Sequence, residues 1–223
     1  ISEFNALKQE ELGISELHFY DNYVPLVDDV DKKYSYEEAI ELVRTALAPL
    51  GAEYLRKYDA TVRVRVIDVF ESPGKRSGAF SWGSYASRGL IFLNYTEKFS
   101  DVSTFAHEFG HCLHRDYSIE NQPYIYYQNP IFLAEIASTF NEALLFDHMS
   151  KIAESSEEKK FFLYHNMKRI EATFYRQTMF ANFEKEIHEM AESGKVLIAK
   201  SITDVYRKNL EIFLGKGMII DEQ

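Results

Sequence analysis

Apolar positions along this sequence keep two rhythms, and each predicts a different element. Ser35, Tyr36, Glu37 and Glu38 form a capping box, in which a hydroxyl and a carboxylate satisfy backbone donors reciprocally at a helix start. Ile40, Val43, Leu47 and Leu50 then mark one helix face, which Pro49 and Gly51 kink or break. From Thr61 to Phe70 the rhythm becomes alternation, with Val62, Val64 and Val66 set against Arg63 and Arg65, and predicts a strand with one solvated face. Pro73 and Gly74 turn the chain, and short strands are predicted from Ala79 to Tyr85 and from Leu90 to Asn94. Beyond Ser100 the helical rhythm returns over about 101–115, 130–150, 157–192 and 203–214, with Ser155 and Glu158 boxing the third helix and Gly194 ending it. No repeat and no Gly/Ser-rich linker interrupts this run. A small antiparallel sheet followed by helices predicts a mostly α (α+β) fold, with residues 1–223 read as a single unit.

Composition agrees with a folded domain. The 223 residues are 46% hydrophobic and 15% aromatic, and at this length roughly 70% of the unfolded surface is buried on folding, so the core needs no disulfide. The single cysteine, Cys112, fits a reducing compartment. With 25 basic against 35 acidic residues the net charge is −10, and no Lys/Arg stripe offsets it. Phosphate backbones would be repelled, which excludes nucleic acid as a partner. No apolar run approaches the ~20 residues of a membrane span, so the expectation is a cytoplasmic protein without a membrane partner. No pattern fixes an oligomeric state. The chain starts at Ile1 amid apolar and aromatic residues, which reads as a sequence entered part-way.

The chemistry concentrates at His107-Glu108-Phe109-Gly110-His111, an H-E-x-x-H motif on a predicted helix. An i,i+4 pair sets both imidazoles on one face, one turn apart. Val102, Phe105, Ala106, Phe109 and Leu113 recur on the other side, so the helix can bury that side while His107 and His111 face a cleft. Chance assembly from this composition would yield the motif about 0.02 times in such a chain, so coincidence is a weak rival. His18, His148, His165 and His188 stand alone and read as surface or satisfied core residues.

A catalytic zinc needs a third protein ligand besides water. His114 is seven residues from His107, about 10 Å along the axis, too far to join the same ion. The metzincin pattern would need Gly at position 114 and His at 117, where this chain has His114 and Tyr117. A di-iron site would need a second E-x-x-H pair, and Glu108 with His111 is the sole one. Phosphate-loop chemistry fails because no Gly-Lys pair is followed by Ser or Thr. Cys112 lacks assigned partners for a nucleophile and reads as a small buried apolar residue.

The helix opened by Asn129 and Pro130 is apolar nearly all round, which predicts burial, and its polar residues Glu135, Ser138, Thr139 and Glu142 share one stripe. A carboxylate on a buried helix costs several kcal/mol unless a cation or strong donors compensate it. One zinc ion on His107, His111 and Glu135 meets that requirement. Glu142, two turns on, either orients a ligand imidazole through its other N–H or makes a salt bridge elsewhere.

The sequence resembles the oligoendopeptidase F branch of the thimet oligopeptidase family of zinc peptidases. The resemblance covers nearly the whole chain: Leu17 to Asp21, Tyr23 to Leu26, Gly74 to Ser81, Asn94-Tyr95, Phe105 to His114, Asn121 to Tyr124, Phe132 to Leu145 and Arg176 to Phe180. It implies a helical zincin core that admits short unfolded peptides, the same three zinc ligands, and Glu108 as general base. It also implies a longer chain, in which a His/Tyr segment that stabilises the tetrahedral intermediate follows Asp221. The segment from Leu90 to Asn94 is either a core strand or an edge to which extended substrate adds; the resemblance favours substrate contact by Leu93 and Asn94, and likewise by Gly78, Ala79 and Phe80. The tyrosines 117, 124, 126 and 127 are read as aromatic packing, with Tyr124 also a candidate for holding peptide. The functional expectation is zinc-dependent hydrolysis of oligopeptides. Its rival is a metal-loaded peptide-binding or structural module without turnover.

Overall fold

The computed structural model describes residues 1–28 and 32–221. In chain order the elements are α1 (Ser2–Leu12), β1 (Leu17–His18), α2 (Tyr36–Ala46), α3 (Ala52–Arg63), β2 (Ile67–Phe70), β3 (Phe80–Trp82), β4 (Leu90–Tyr95), α4 (Phe99–Asn121), α5 (Ile131–Ile152), α6 (Ser156–Ile170), α7 (Arg176–Glu192), α8 (Ala199–Leu214) and β5 (Met218–Ile219). The fold is mostly helical with a small sheet, as expected. The chain forms two compact units, residues 30–159 and residues 1–29 with 160–223.

All candidate site residues lie in the 30–159 unit. Its sheet has the order β2-β4-β3. It is mixed rather than wholly antiparallel: β2 runs parallel to β4 and β3 antiparallel to it, with Ser81 opposite Ile91. The centre strand β4 alternates buried Ile91, Leu93 and Tyr95 with more open positions. After three intervening residues α4 begins, and the Asp101 carboxylate accepts from the Thr96 and Lys98 backbone N–H groups at 2.7 and 3.1 Å, which anchors the start of the helix. The inner side of α4 is the predicted one. Val102, Phe105, Ala106, Phe109 and Leu113 have no exposure, and each large side chain so buried contributes roughly 1.5–3 kcal/mol. Tyr58 packs on Phe109 at 4.3 Å between ring centroids, and Cys112 is buried on the same helix as Phe109.

The predicted strand from Thr61 starts too early. The helix α3 runs on to Arg63, and Arg65 adopts a left-handed φ of 54° before β2 starts at Ile67. Tyr58 and Thr61, three apart, are buried on one face of α3, so helical and alternating patterns overlap here and the packed helical one prevails. The capping box at Ser35 forms, with Ser35 N–H donating to Glu38 at 2.7 Å and Glu38 N–H to Ser35 Oγ at 3.2 Å.

The other unit brings α1, most of α6, α7 and α8 together with a parallel pairing of β1 and β5. Lys8 is buried there and donates to the Val24 carbonyl at 2.8 Å, while Asn182 and Asn209 join α7 to α8 at 2.7 Å. The expected long helix over 157–192 is α6 and α7, joined through a π-helical turn at Glu171–Tyr175. Among the described residues no helix is long and apolar enough to cross a membrane.

One close approach governs the pairing of α4 with α5. A Cβ on Gly110 would lie 2.6 Å from the Ser138 Cα and 2.7 Å from the Ala137 carbonyl oxygen. Only a glycine lets the two backbones touch here. Asn141 reinforces the contact by donating to the Ala106 carbonyl at 3.1 Å. The prediction of an α5 buried all round is corrected: Ser138, Asn141, Leu145, Phe146 and Met149 are buried against the unit, but Ile131 and Phe132 are 74% and 80% exposed. Polar Ser138 and Asn141 face inward because the close backbone contact leaves room for short side chains that can hydrogen-bond.

Gly110→Ala tests this packing. Helix propensity favours Ala by about 1 kcal/mol, whereas overpacking against backbone that cannot rotate away costs about 1–3 kcal/mol or more. The expected net result is a lower denaturation midpoint. A variant as stable as the parent chain would contradict the close approach.

Candidate metal centre and active site

Helix α4 carries His107, Glu108 and His111, and α5 carries Glu135 one turn before the Ser138 contact. That contact brings the elements together. His107 Nε2 and His111 Nε2 are 3.1 Å apart, and Glu135 Oε2 lies 3.5 Å from each. These three residues form a group that could hold a metal ion. Ser138 Oγ donates to the same Glu135 oxygen at 2.7 Å, which fixes the carboxylate.

The outer nitrogen of His107 is held as well. Glu142 Oε2 lies 3.5 Å from His107 Nδ1, and Ser103 Oγ donates to Glu142 Oε1 at 3.3 Å. The Ala134 carbonyl accepts from the His111 ring. Glu142 favours a proton on His107 Nδ1, which turns the His107 Nε2 lone pair toward His111 Nε2 and Glu135. Three electron-rich atoms in such proximity repel one another unless a proton or a metal cation lies between them.

Burial pulls the His107 pKa down, yet hydrogen bonding and charge from Glu142, with Glu108 and Glu135 adding, leave it raised. Burial and the His107 charge lower that of His111. Glu108 is 6% exposed, and burial pushes its carboxyl up to about 7 against the opposing pull of His107 and the Ser81 backbone N–H. Its Oε2 is buried with no hydrogen-bond partner among the described residues. A carboxyl balanced near neutrality can both accept and return a proton. Glu135 has a side chain 43% exposed, which corrects the expectation that burial of α5 demands a compensating cation there; the converging imidazoles make that demand.

The candidate substrate residues fall into separate places. Gly78, Ala79, Leu93 and Asn94 line one small pocket of about 200 Å³ with Tyr95, Asp101 and Thr104. Within it Asn94 Nδ2 donates to the Arg76 and Gly78 carbonyls at 2.9 and 2.8 Å, so it holds the neighbouring loop in place. Phe80 stacks on Phe92 at 4.7 Å. Tyr124, 67% exposed, is not among the pocket residues and packs with Tyr85 and Tyr127. Tyr117 instead stacks on Tyr54. Strand addition at 90–92 has no free edge, because β2 and β3 flank β4 there; the β3 ladder ends at Phe92, and the open edge on that side of the sheet belongs to β3. Ser103 carries site geometry without any sequence signal; Ser81, Ala134 and Asn141 are marked only by lying in stretches that carry the resemblance, and Ser138 also by its place in the polar stripe of α5.

An H-E-x-x-H helix joined by a carboxylate from the next helix defines a metallopeptidase-like centre in a mostly helical fold. The chain belongs to peptidase family M3, whose model matches residues 1–223. Oligopeptidase PepF of Bacillus subtilis is 39% identical over 223 residues, which is 100% of this chain and 33% of that protein. An oligoendopeptidase F homolog of Lactococcus lactis is 42% identical over 206 residues, 92% of this chain and 34% of that protein. A solved chain from Chlamydophila abortus superposes with a TM-score of 0.85 at 41% identity, covering 99% of this chain and 37% of that one. Oligoendopeptidase-F from Enterococcus faecium shares the fold, with a TM-score of 0.62 at 24% identity over 97% of this chain and 30% of its own. The chain thus spans about a third of the length of the relatives it matches.

The electrostatics of the two rings can be read directly. In the chelator-treated chain, NMR titration should find His107 protonating above its ordinary pKa and His111 below it, and Glu142→Gln should lower the His107 value. A His107 titration that ignores this substitution would contradict the role given to Glu142.

Proposed function

We propose that residues 1–223 form the catalytic core of a zinc-dependent oligopeptidase that hydrolyses peptide bonds in short, unfolded peptides. The observation carrying this reading is the triangle of donor atoms. Tetrahedral zinc with bonds of about 2.0–2.1 Å has ligand atoms about 3.3 Å apart, and the three separations here are 3.1, 3.5 and 3.5 Å. Two imidazoles and one carboxylate are also a donor set that suits zinc and leaves a fourth position free.

In this reading His107, His111 and Glu135 hold one zinc ion, and Glu142 orients His107 from behind. Zinc bound there supplies Lewis acidity, lowering the pKa of a water toward ~7 and polarising the scissile carbonyl. Glu108 is the general base: its unpartnered Oε2 accepts the proton of the attacking water and later delivers it to the leaving amine. Burial of Glu108 keeps bulk water from competing for that proton. Gly78, Ala79, Phe80, Leu93, Asn94 and Tyr124 are assigned to the substrate side. Leu93 is 2% exposed and Asn94 ties down the 76–78 loop, so these two act by shaping the wall rather than by main-chain pairing. Relatives named as oligopeptidases, at about 40% identity, support the choice of peptide substrates.

Two substitutions separate the roles. Glu108→Gln should retain one zinc per chain while cleavage of a fluorogenic peptide by the intact protein falls about 10²–10⁴-fold; near-normal turnover would remove Glu108 from the mechanism. Glu135→Ala should lose zinc on dialysis under conditions in which the parent chain retains it, and full occupancy would mean that another residue is the third ligand. A parent protein that binds zinc and peptide without cleaving would favour the non-catalytic module.

A further inference from the structure

On α4, Arg115 follows Glu108 by seven residues, two turns along the same face. Both residues reach Ser81 on the edge strand β3. The Ser81 backbone N–H faces the Glu108 carboxyl and opposes the rise in its pKa, and Arg115 Nη2 donates to Ser81 Oγ at 3.3 Å. The guanidinium lies in a crevice made by two glycines at the ends of the β3–β4 connection. A Cβ on Gly83 would sit 2.9 Å from Arg115 Nε, and one on Gly89 would sit 2.2 Å from Nη2. Arg115 Nε is buried with no hydrogen-bond partner among the described residues. Arg115 is half-buried, and leaving its buried Nε–H without a partner costs stability. The geometry does, however, fasten one residue of the edge strand to the metal-motif helix at two points.

We propose that Arg115 is a positioning residue: through Ser81 it holds strand β3 in the register that presents the Ser81 N–H to Glu108. This rests on the reading of Glu108 as general base, although the clamp itself is independent of it. With the clamp in place, the Ser81 N–H stays beside the Glu108 carboxyl, whose unpartnered Oε2 keeps a fixed direction. When the clamp is released, β3 can shift along or away from α4, and a displacement on the order of 1 Å at a reacting group is enough to lower turnover about 10²-fold.

Amide hydrogen exchange at Ser81, resolved by NMR on the whole chain, tests the clamp without any need for activity. Arg115→Met and Ser81→Ala should each speed exchange of the residue-81 amide at least tenfold, while the Ile91 amide, bonded to Val66 in the sheet interior, stays protected. Arg115→Lys, which keeps a donor, should restore part of the protection. Unchanged exchange at residue 81 in both variants would overturn the inference, and two variants guard against one that fails to fold. The catalytic consequence is read on the intact zinc-loaded protein: Arg115→Met should lower kcat about tenfold or more with KM and zinc content nearly unchanged, and the Ser81→Ala/Arg115→Met double variant should be little worse than Arg115→Met. Lost protection with undiminished kcat, or losses that multiply independently, would overturn the positioning role. If the parent protein cleaves nothing, the functional reading above fails, and the exchange data still decide whether the clamp exists.

Discussion

The structure of the site depends on a contact with no side chain on one of its two partners. Gly110 lies between the two histidines of the motif, and through it the backbone of α5 rests directly on that of α4. The distances from Glu135 to both imidazoles descend from this contact, while the imidazole pair is set by its own helical spacing. Had position 110 carried a Cβ, α5 would stand further off, and Glu135, one turn from Ser138, could not come within 3.5 Å of both imidazoles. The motif is usually read for its histidines and glutamate; here one of its unspecified positions sets the helix spacing.

Around that contact the polar groups are arranged in layers, each held by the next. Glu135 is fixed by Ser138, His107 faces Glu142, and Glu142 in turn accepts from Ser103. Asn141 joins α5 to the Ala106 carbonyl and also to the Tyr54 hydroxyl on α3. The result is a site whose side chains are oriented before any ligand arrives, which is the condition under which charged groups act strongly on a reacting centre. Glu108 is the exception by design of its surroundings: it is buried, raised toward neutrality and left with a free oxygen, as a proton-transfer residue requires.

Much of this was legible in the sequence because it is periodic. The i,i+4 histidines, the apolar face from Val102 to Leu113 and the stripe holding Glu135 and Glu142 all follow from helix geometry. Features that depend on contacts between segments were not legible. The alternation around Val62 to Val66 is genuine, but Tyr58 and Thr61 satisfy a helical period at the same place, and only the packing partners of α3 decide between them. The parallel pairing of β2 with β4 leaves no mark on either strand. The apolar surround of α5 signals a preference for burial, which the described chain meets on one side only. Arg115 reads as an ordinary surface cation until Gly83 and Gly89, far from it in sequence, form a crevice for it.

The central claim is that α4, with its two imidazoles, and α5, with its carboxylate, pack through Gly110 so that all three groups meet at a single ion. X-ray absorption at the zinc edge, on the zinc-loaded chain at one ion per chain, measures that arrangement most directly. The account predicts a four-coordinate shell at about 2.0–2.1 Å with the multiple-scattering signature of two imidazoles and oxygen in the remaining positions. A shell with fewer than two imidazoles, a sulfur neighbour, or the six-oxygen surroundings of a surface-bound ion would contradict it.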